Sequence, residues 1–156
     1  RTEHQKPAYM DEVHTYSSID SLLPRADIIA LILPSTPETY HILDSKRLMS
    51  IKDDAIILNI GRGNSIDNEA LCKEIMKGRF FGVALDVTEE EPLPKESKLW
   101  AMPRTLITPH VAGKAHASLT METKVQIAAY NLKQYFSSKE LRNIVDKATG
   151  YKKTDA

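Results

Sequence analysis

Four short aliphatic runs, separated by stretches of mixed polarity, constrain the fold of this chain more than anything else in it. They are Ile28-Ile29-Ala30-Leu31-Ile32-Leu33, Ala55-Ile56-Ile57-Leu58-Asn59, Phe80-Phe81-Gly82-Val83-Ala84-Leu85-Asp86 and Thr105-Leu106-Ile107. The first is nearly continuous, with no polar alternation, which is the signature of a strand covered on both faces. Pro34 ends it. Between the runs, Asp44 or Ser45 can cap a short helix carrying Leu48, Met49 and Ile51, and Asp67 a second bearing Ala70, Leu71, Ile75 and Met76, which Gly78 stops. Val13-His14-Thr15-Tyr16-Ser17 reads as a further short strand, with Ser18 capping a turn of helix ahead of Ile19, Leu22 and Leu23. From Ala115 a long helix carries Leu119, Val125, Ala128, Leu132 and Tyr135 or Phe136 at helical spacing, one stripe expected to face a core. Strands alternating with helices predict an α/β fold with a doubly wound parallel sheet.

Composition narrows the function classes. The chain has 156 residues, 42% of them apolar, enough for one domain with a core. Lys plus Arg and Asp plus Glu are 21 each, so no basic stripe exists for a phosphate backbone, and nucleic acid is not an expected partner. No membrane association is expected either, because no run approaches the ~20 apolar residues of a spanning helix. Cys72 is the only cysteine, which points to a reducing, cytoplasmic setting without a disulfide. The chain opens on Arg1 rather than Met, so it reads as a piece of something longer.

In a parallel sheet the carboxyl ends of successive strands lie along one edge, where open α/β sheets bind ligands. Here those ends carry Pro34, then Asn59-Ile60-Gly61-Arg62-Gly63, then Asp86, then Thr108-Pro109-His110. With the run Glu89-Glu90-Glu91, that is a catalytic inventory. Each member also has a plainer reading. His110 can cap or pack; Arg62 can be a surface turn residue, although flanking glycines let its guanidinium approach a planar anion. The acidic run reads mainly as a solvated face in which only one glutamate orients a histidine. His4, His14, His41 and His116 lack metal-ligand spacing, Cys72 sits on an outer helix, none of these receives a role, and no metal site is expected. Ser35 and Ser65 lack a nucleophile elbow. The inventory suits reduction of a carbonyl beside a carboxylate, with Arg62 as a bidentate clamp and a histidine–glutamate pair as proton source.

Five blocks in order resemble the signature segments of the D-isomer-specific 2-hydroxyacid dehydrogenases, over about residues 26–146. They are Leu33-Pro34-Ser35-Thr36-Pro37-Glu38-Thr39, Asn59-Ile60-Gly61-Arg62-Gly63, Ile66-Asp67-Asn68-Glu69-Ala70-Leu71, Ala84-Leu85-Asp86-Val87-Thr88-Glu89-Glu90-Glu91-Pro92-Leu93 and Thr108-Pro109-His110-Val111-Ala112-Gly113. The resemblance implies a partial Rossmann-type sheet with a long C-terminal helix. It implies Arg62 as substrate clamp, His110 as acid–base and Glu91 as the carboxylate that holds His110. Asp86 is implied near the nicotinamide carboxamide, and Pro34, Thr36, Asn59, Ile60 and Gly61 as walls around the cofactor. His110, Ala112 and Gly113 complete the implied cofactor-binding positions.

The six glycines include no G-x-G-x-x-G spacing, and the family's acidic ribose ligand is not visible. The cofactor is therefore expected as NAD or NADP, since an arginine at position 1 is compatible with a 2′-phosphate. By this resemblance the chain is the C-terminal portion of a dinucleotide-binding domain with its helical tail, without the substrate domain or the first βαβ segment. Its parent would be a homodimeric enzyme acting on a small D-2-hydroxy or 2-oxo acid, and the isolated piece would be inactive. The alternative is a non-catalytic dinucleotide-sensing corepressor on the same scaffold. Formate and phosphite enzymes are a third reading, and Glu91 argues against formate.

Overall fold

The computed structural model describes residues 6–113 and 118–147, in two compact units, Arg1–Ala112 and Gly113–Ala156. In the first unit four strands, β1 (Ile28–Leu31), β2 (Ile56–Asn59), β3 (Gly82–Leu85) and β4 (Thr105–Ile107), form one parallel sheet in the order β1-β2-β3-β4. Before β1 comes a single turn, α1 (Ile19–Leu22); α2 (Ser45–Ser50) connects β1 to β2 and α3 (Asn68–Met76) connects β2 to β3. The two crossover helices start for the same reason. The Asp44 and Asp67 carboxylates accept the N–H of Arg47 at 2.8 Å and of Ala70 at 2.9 Å, satisfying amides that a helix start leaves open. Gly78, at φ +75°, turns the chain out of α3 in a conformation that only glycine adopts freely.

Register decides what the sheet presents. Leu31, Asn59, Leu85 and Ile107 share the last rung, so Pro34, Ile60, Asp86 and Thr108 all leave from one edge. The ladder runs one step further: Ile60 N–H donates to Leu31 O at 3.1 Å, Asp86 N–H to Asn59 O at 2.9 Å and Thr108 N–H to Leu85 O at 3.0 Å. Alternation turns Ile29, Leu31, Ile57, Val83 and Leu85 to one face. There they join Leu48 of α2 and Ala70, Leu71, Cys72 and Ile75 of α3 in a single core.

The opposite face departs from expectation. Aliphatic continuity predicts strands covered on both sides, yet Ile28 and Leu106 are 61% and 62% exposed. Strands laid down in sequential order by right-handed crossovers receive all their connections on one face. On the other face Ala30 is exposed and Ile56, Leu58 and Ala84 are half-buried. Residues 13–17 form no strand: Tyr16–Ser18 is a 3-10 turn and Val13 is exposed, because a strand without a ladder partner is not stable. Cys72, expected on an outer helix, stands on α3 and packs into the core.

The second unit holds α4 (Ser118–Phe136). Its expected core-facing stripe is exposed at Val125, Leu132, Tyr135 and Phe136. Within that unit no second layer is described that could bury it. The chain leaving α4 is instead held by polar contacts: Asn131 brackets the Arg142 backbone at 2.8 and 2.9 Å, and the Arg142 guanidinium lies 3.9 Å from the Tyr130 ring centroid. The expected helix start at Ala115 lies outside the described residues, as do Arg1, His4 and His116.

One polar tie crosses the bottom of the core. Arg79 donates to Asp53 at 2.7 Å, to Glu74 and Leu48 O at 3.1 Å and to Ile51 O, joining α2, α3 and the approach to β3. Glu74 is buried; burial pushes its pKa up, but Lys77 at 2.7 Å and Arg79 outweigh that and hold it below the ordinary range. Removing one partner of a buried pair strands the other, so Arg79→Ala should lower stability by about 3–5 kcal/mol in urea denaturation. A loss below about 1 kcal/mol would show the tie to be a surface pair.

Candidate active site

The carboxyl edge is built from three loops, each shaped by a buried polar side chain. Asn59, on the last rung and 1% exposed, turns back on its own loop: its Nδ2 donates to Arg62 O at 3.0 Å and its Oδ1 accepts from Gly61 N–H at 3.1 Å. This holds the turn that projects Arg62. The flanking glycines are required by packing rather than by access to a ligand. A Cβ at Gly61 would stand 2.6 Å from Leu33 N, and one at Gly63 only 1.8 Å from Thr88 O. Arg62 itself is exposed, with Nη1 donating to Gly61 O at 2.8 Å; among the described residues its other donors have no protein partner.

Thr39 does for the first loop what Asn59 does for the second. It is 1% exposed; its hydroxyl donates to Pro34 O at 2.6 Å and accepts from Thr36 N–H at 2.9 Å, so it shapes the segment containing Pro34 and Thr36. Sequence reasoning did not single it out. Its signal was the spacing Thr36-x-x-Thr39, the pattern of a side chain closing a turn.

The third loop carries the histidine. Asp86 follows β3 and Thr108 follows β4, and the register sets them side by side, with Thr108 Oγ1 donating to Asp86 Oδ1 at 2.5 Å. The same carboxylate accepts Val111 N–H at 2.8 Å and Ala112 N–H at 2.9 Å, while its backbone oxygen accepts His110 N–H at 2.9 Å. His110 lies between, at φ +53°, a left-handed conformation that persists only where the surroundings enforce it. Asp86 enforces it. Its side-chain oxygens are therefore engaged within the protein. Burial pushes the Asp86 pKa up, but the bonds from Thr108, Ala112 and Val111 and the nearby His110 outweigh it and hold the group below its ordinary range. Gly113 opens the second unit, where an added Cβ would meet nothing within 4 Å.

His110 Nδ1 stands 2.8 Å from Glu91 Oε2, and the other Glu91 oxygen accepts Thr88 N–H at 3.1 Å. Among the described residues His110 Nε2 has no protein partner, and half of the side chain is exposed. The acidic run is not a mere solvated face: a second member, Glu89, meets His41 at 2.5 Å. No group of three His, Cys, Asp or Glu able to hold a metal exists among the described residues, and no described helix is long and apolar enough to cross a membrane.

A parallel sheet thus carries along its carboxyl edge an exposed arginine and a histidine–carboxylate couple, groups chemically able to pair with an anion and to exchange a proton. Residues 1–112 match the family model of the D-isomer specific 2-hydroxyacid dehydrogenase, NAD binding domain, and the chain belongs to that family. A glyoxylate/hydroxypyruvate reductase B from Escherichia fergusonii is 40% identical over 114 residues, which are 73% of this chain and 34% of that protein. The chain thus spans about a third of the length of the curated relatives it matches. A D-isomer specific 2-hydroxyacid dehydrogenase family protein from Aeromonas salmonicida superposes with TM-score 0.79 at 33% identity, over 91% of this chain and 44% of that one. A dehydrogenase of the family from Xanthobacter autotrophicus, crystallised with NADPH and MES, gives TM-score 0.74 at 32% identity over 86% of this chain and 42% of its own.

Because Asp86 ionises below its unfolded counterpart, its stabilisation is present above the ordinary aspartate range and is lost as pH falls through the lower, folded value. Asp86→Asn should therefore flatten the acid limb of the stability curve. Asp86→Ala leaves the Val111 and Ala112 amides and the Thr108 hydroxyl without their acceptor; it should cost about 1–3 kcal/mol and speed hydrogen exchange at both amides. Unchanged exchange there would separate Asp86 from the His110 loop.

Proposed function

We propose that this chain contributes the cofactor side and the proton-transfer couple of an NAD- or NADP-dependent D-2-hydroxyacid dehydrogenase, reducing a small 2-oxo acid or oxidising the corresponding D-2-hydroxy acid. The observation that carries this reading is the His110–Glu91 couple, with Nδ1 held at 2.8 Å and Nε2 left without a described partner. Glyoxylate and hydroxypyruvate, in the names of the relatives, support a short oxo acid as substrate. The substrate side of the cleft and the homodimer belong to the same proposal, in a protein of the relatives' length, as does a cytoplasmic setting without nucleic-acid or membrane partners.

The edge fits the nicotinamide end of a dinucleotide. Ile60, 44% exposed, gives an apolar surface there, and the backbone of Pro34, Thr36, Gly61 and Ala112 would line the same wall. Asn59 and Asp86 contribute by shaping loops, because their side-chain oxygens are already bonded within the protein. No residue of the 156 provides a glycine-rich pyrophosphate turn. When bound, the nicotinamide supplies or accepts the hydride.

This chain's own residues do the rest. Arg62 pairs with the substrate carboxylate through its free donors and holds the carbonyl in line, which is catalysis by orientation. Glu91 at Nδ1 fixes the imidazole plane, and Nε2 donates its proton to the carbonyl oxygen as that oxygen gains charge. In the oxidative direction the neutral ring takes the hydroxyl proton at the same atom.

In a full-length enzyme containing these residues, His110→Ala should reduce kcat by about 10²–10⁴-fold, and Arg62→Ala should also raise KM for the oxo acid. Wild-type kinetics in either would remove that residue from the mechanism. The 156-residue chain alone, without the pyrophosphate turn, should bind NADH weakly. Calorimetry returning a micromolar Kd would overturn that part of the reading.

A further inference from the structure

His41, which sequence reasoning leaves without a role, is held at both backbone and ring by contacts that the mechanism above does not use. It stands in the loop after β1 at φ +46°, a left-handed conformation that costs a non-glycine residue free energy unless its surroundings enforce it. Three contacts enforce it. Its N–H donates to Asn64 O at 2.8 Å, its ring stacks on Tyr40 with centroids 4.1 Å apart, and its Nε2 meets Glu89 Oε1 at 2.5 Å. Glu89 is itself held twice, since its other oxygen accepts the Asn68 N–H at 3.1 Å, at the start of α3. One carboxylate from the loop after β3 thus ties together the loop after β1 and the helix after β2. Directly beneath, Thr88 O rests so close to Gly63 that no Cβ fits between them.

Glu89 stands two residues before Glu91, and the segment between them has little freedom. Thr88 Oγ1 donates to Glu90 O at 2.7 Å and Thr88 N–H to Glu91 Oε1 at 3.1 Å. The Glu91 oxygen that remains is the one on His110 Nδ1. An ordinary exposed ion pair would be worth about 0–1 kcal/mol and would hold nothing. Here the His41 and Glu89 side chains are 26% and 32% exposed, and the pair fastens the segment from which Glu91 reaches His110.

We propose that His41 and Glu89 form a second histidine–carboxylate couple that positions the Thr88–Glu91 segment, and through it the couple of Glu91 with His110. His41 is then a positioning residue for proton transfer, acting two links away from the reacting atoms. The proposal rests on the reading of His110 as the acid–base, but its test does not need turnover.

The test is nitrogen-15 NMR of the His110 ring in the 156-residue chain, which reports the proton's place on the neutral imidazole. Held by Glu91 at Nδ1, the ring should carry its proton on Nδ1. In His41→Ala and in Glu89→Gln the tautomer ratio should move at least threefold toward Nε2–H, and His41→Gln, whose amide can still donate to Glu89, should restore it. Glu91→Gln marks the full loss. Circular dichroism identifies any variant that does not fold, in which case the remaining variants of the pair decide. A lowered melting temperature with an unchanged His110 tautomer ratio would mean a merely structural contact and would overturn the proposal. Failure of the His110→Ala kinetics, with the tautomer shift present, would instead overturn only the catalytic reading.

Discussion

The rung shared by Leu31, Asn59, Leu85 and Ile107 is the constraint on which the site depends. Parallel pairing spaces neighbouring strands about 4.8 Å apart, so residues one step past that rung become lateral neighbours whatever the length of the crossovers between them. Asp86 and Thr108, far apart along the chain, meet at 2.5 Å for this reason alone. A slip of one residue would turn Asp86 to the wrong face and release the loop that carries His110.

From that rung outward, loop geometry is set by buried polar side chains used as struts. Asn59, Thr39 and Asp86 each lie almost entirely out of solvent and spend their hydrogen-bonding capacity on nearby backbone. Leaving such groups unpaired would cost more than their pairing gains, so each strut tolerates few alternatives. The residues with chemistry to offer, Arg62 and His110, are correspondingly exposed. Their donors are spared because other residues carry the structural load.

Much of the first unit was legible in the sequence. The four aliphatic runs became four strands, and Asp44, Asp67 and Gly78 capped and ended the helices as their side-chain chemistry dictates, because these are local effects within one turn of chain. Arg62, Glu91 and His110 were legible as types at strand ends. The errors share one cause: burial is a property of neighbours that a sequence does not name. Residues 13–17 have strand composition but no ladder partner among the described residues, and the apolar stripe of α4 has nothing described to cover it within its unit. The glycines around Arg62 were read as openings for a ligand, whereas they are close contacts with Leu33 and Thr88.

By itself the sequence determined the periodicity of the strands, the caps of the helices and the inventory of groups along one edge, since each follows from residues within a few positions of one another. Which of those groups meet follows from the tertiary structure, and the residues alone left it open. Composition and spacing leave the three adjacent glutamates alike; the family resemblance points to Glu91, which does reach His110, but only the structure shows that Glu89 reaches His41. The physical reason is that hydrogen bonds select partners within about 3 Å, and that proximity is created here by strand register and by the Thr88 turn seated on Gly63, neither of which a linear pattern contains.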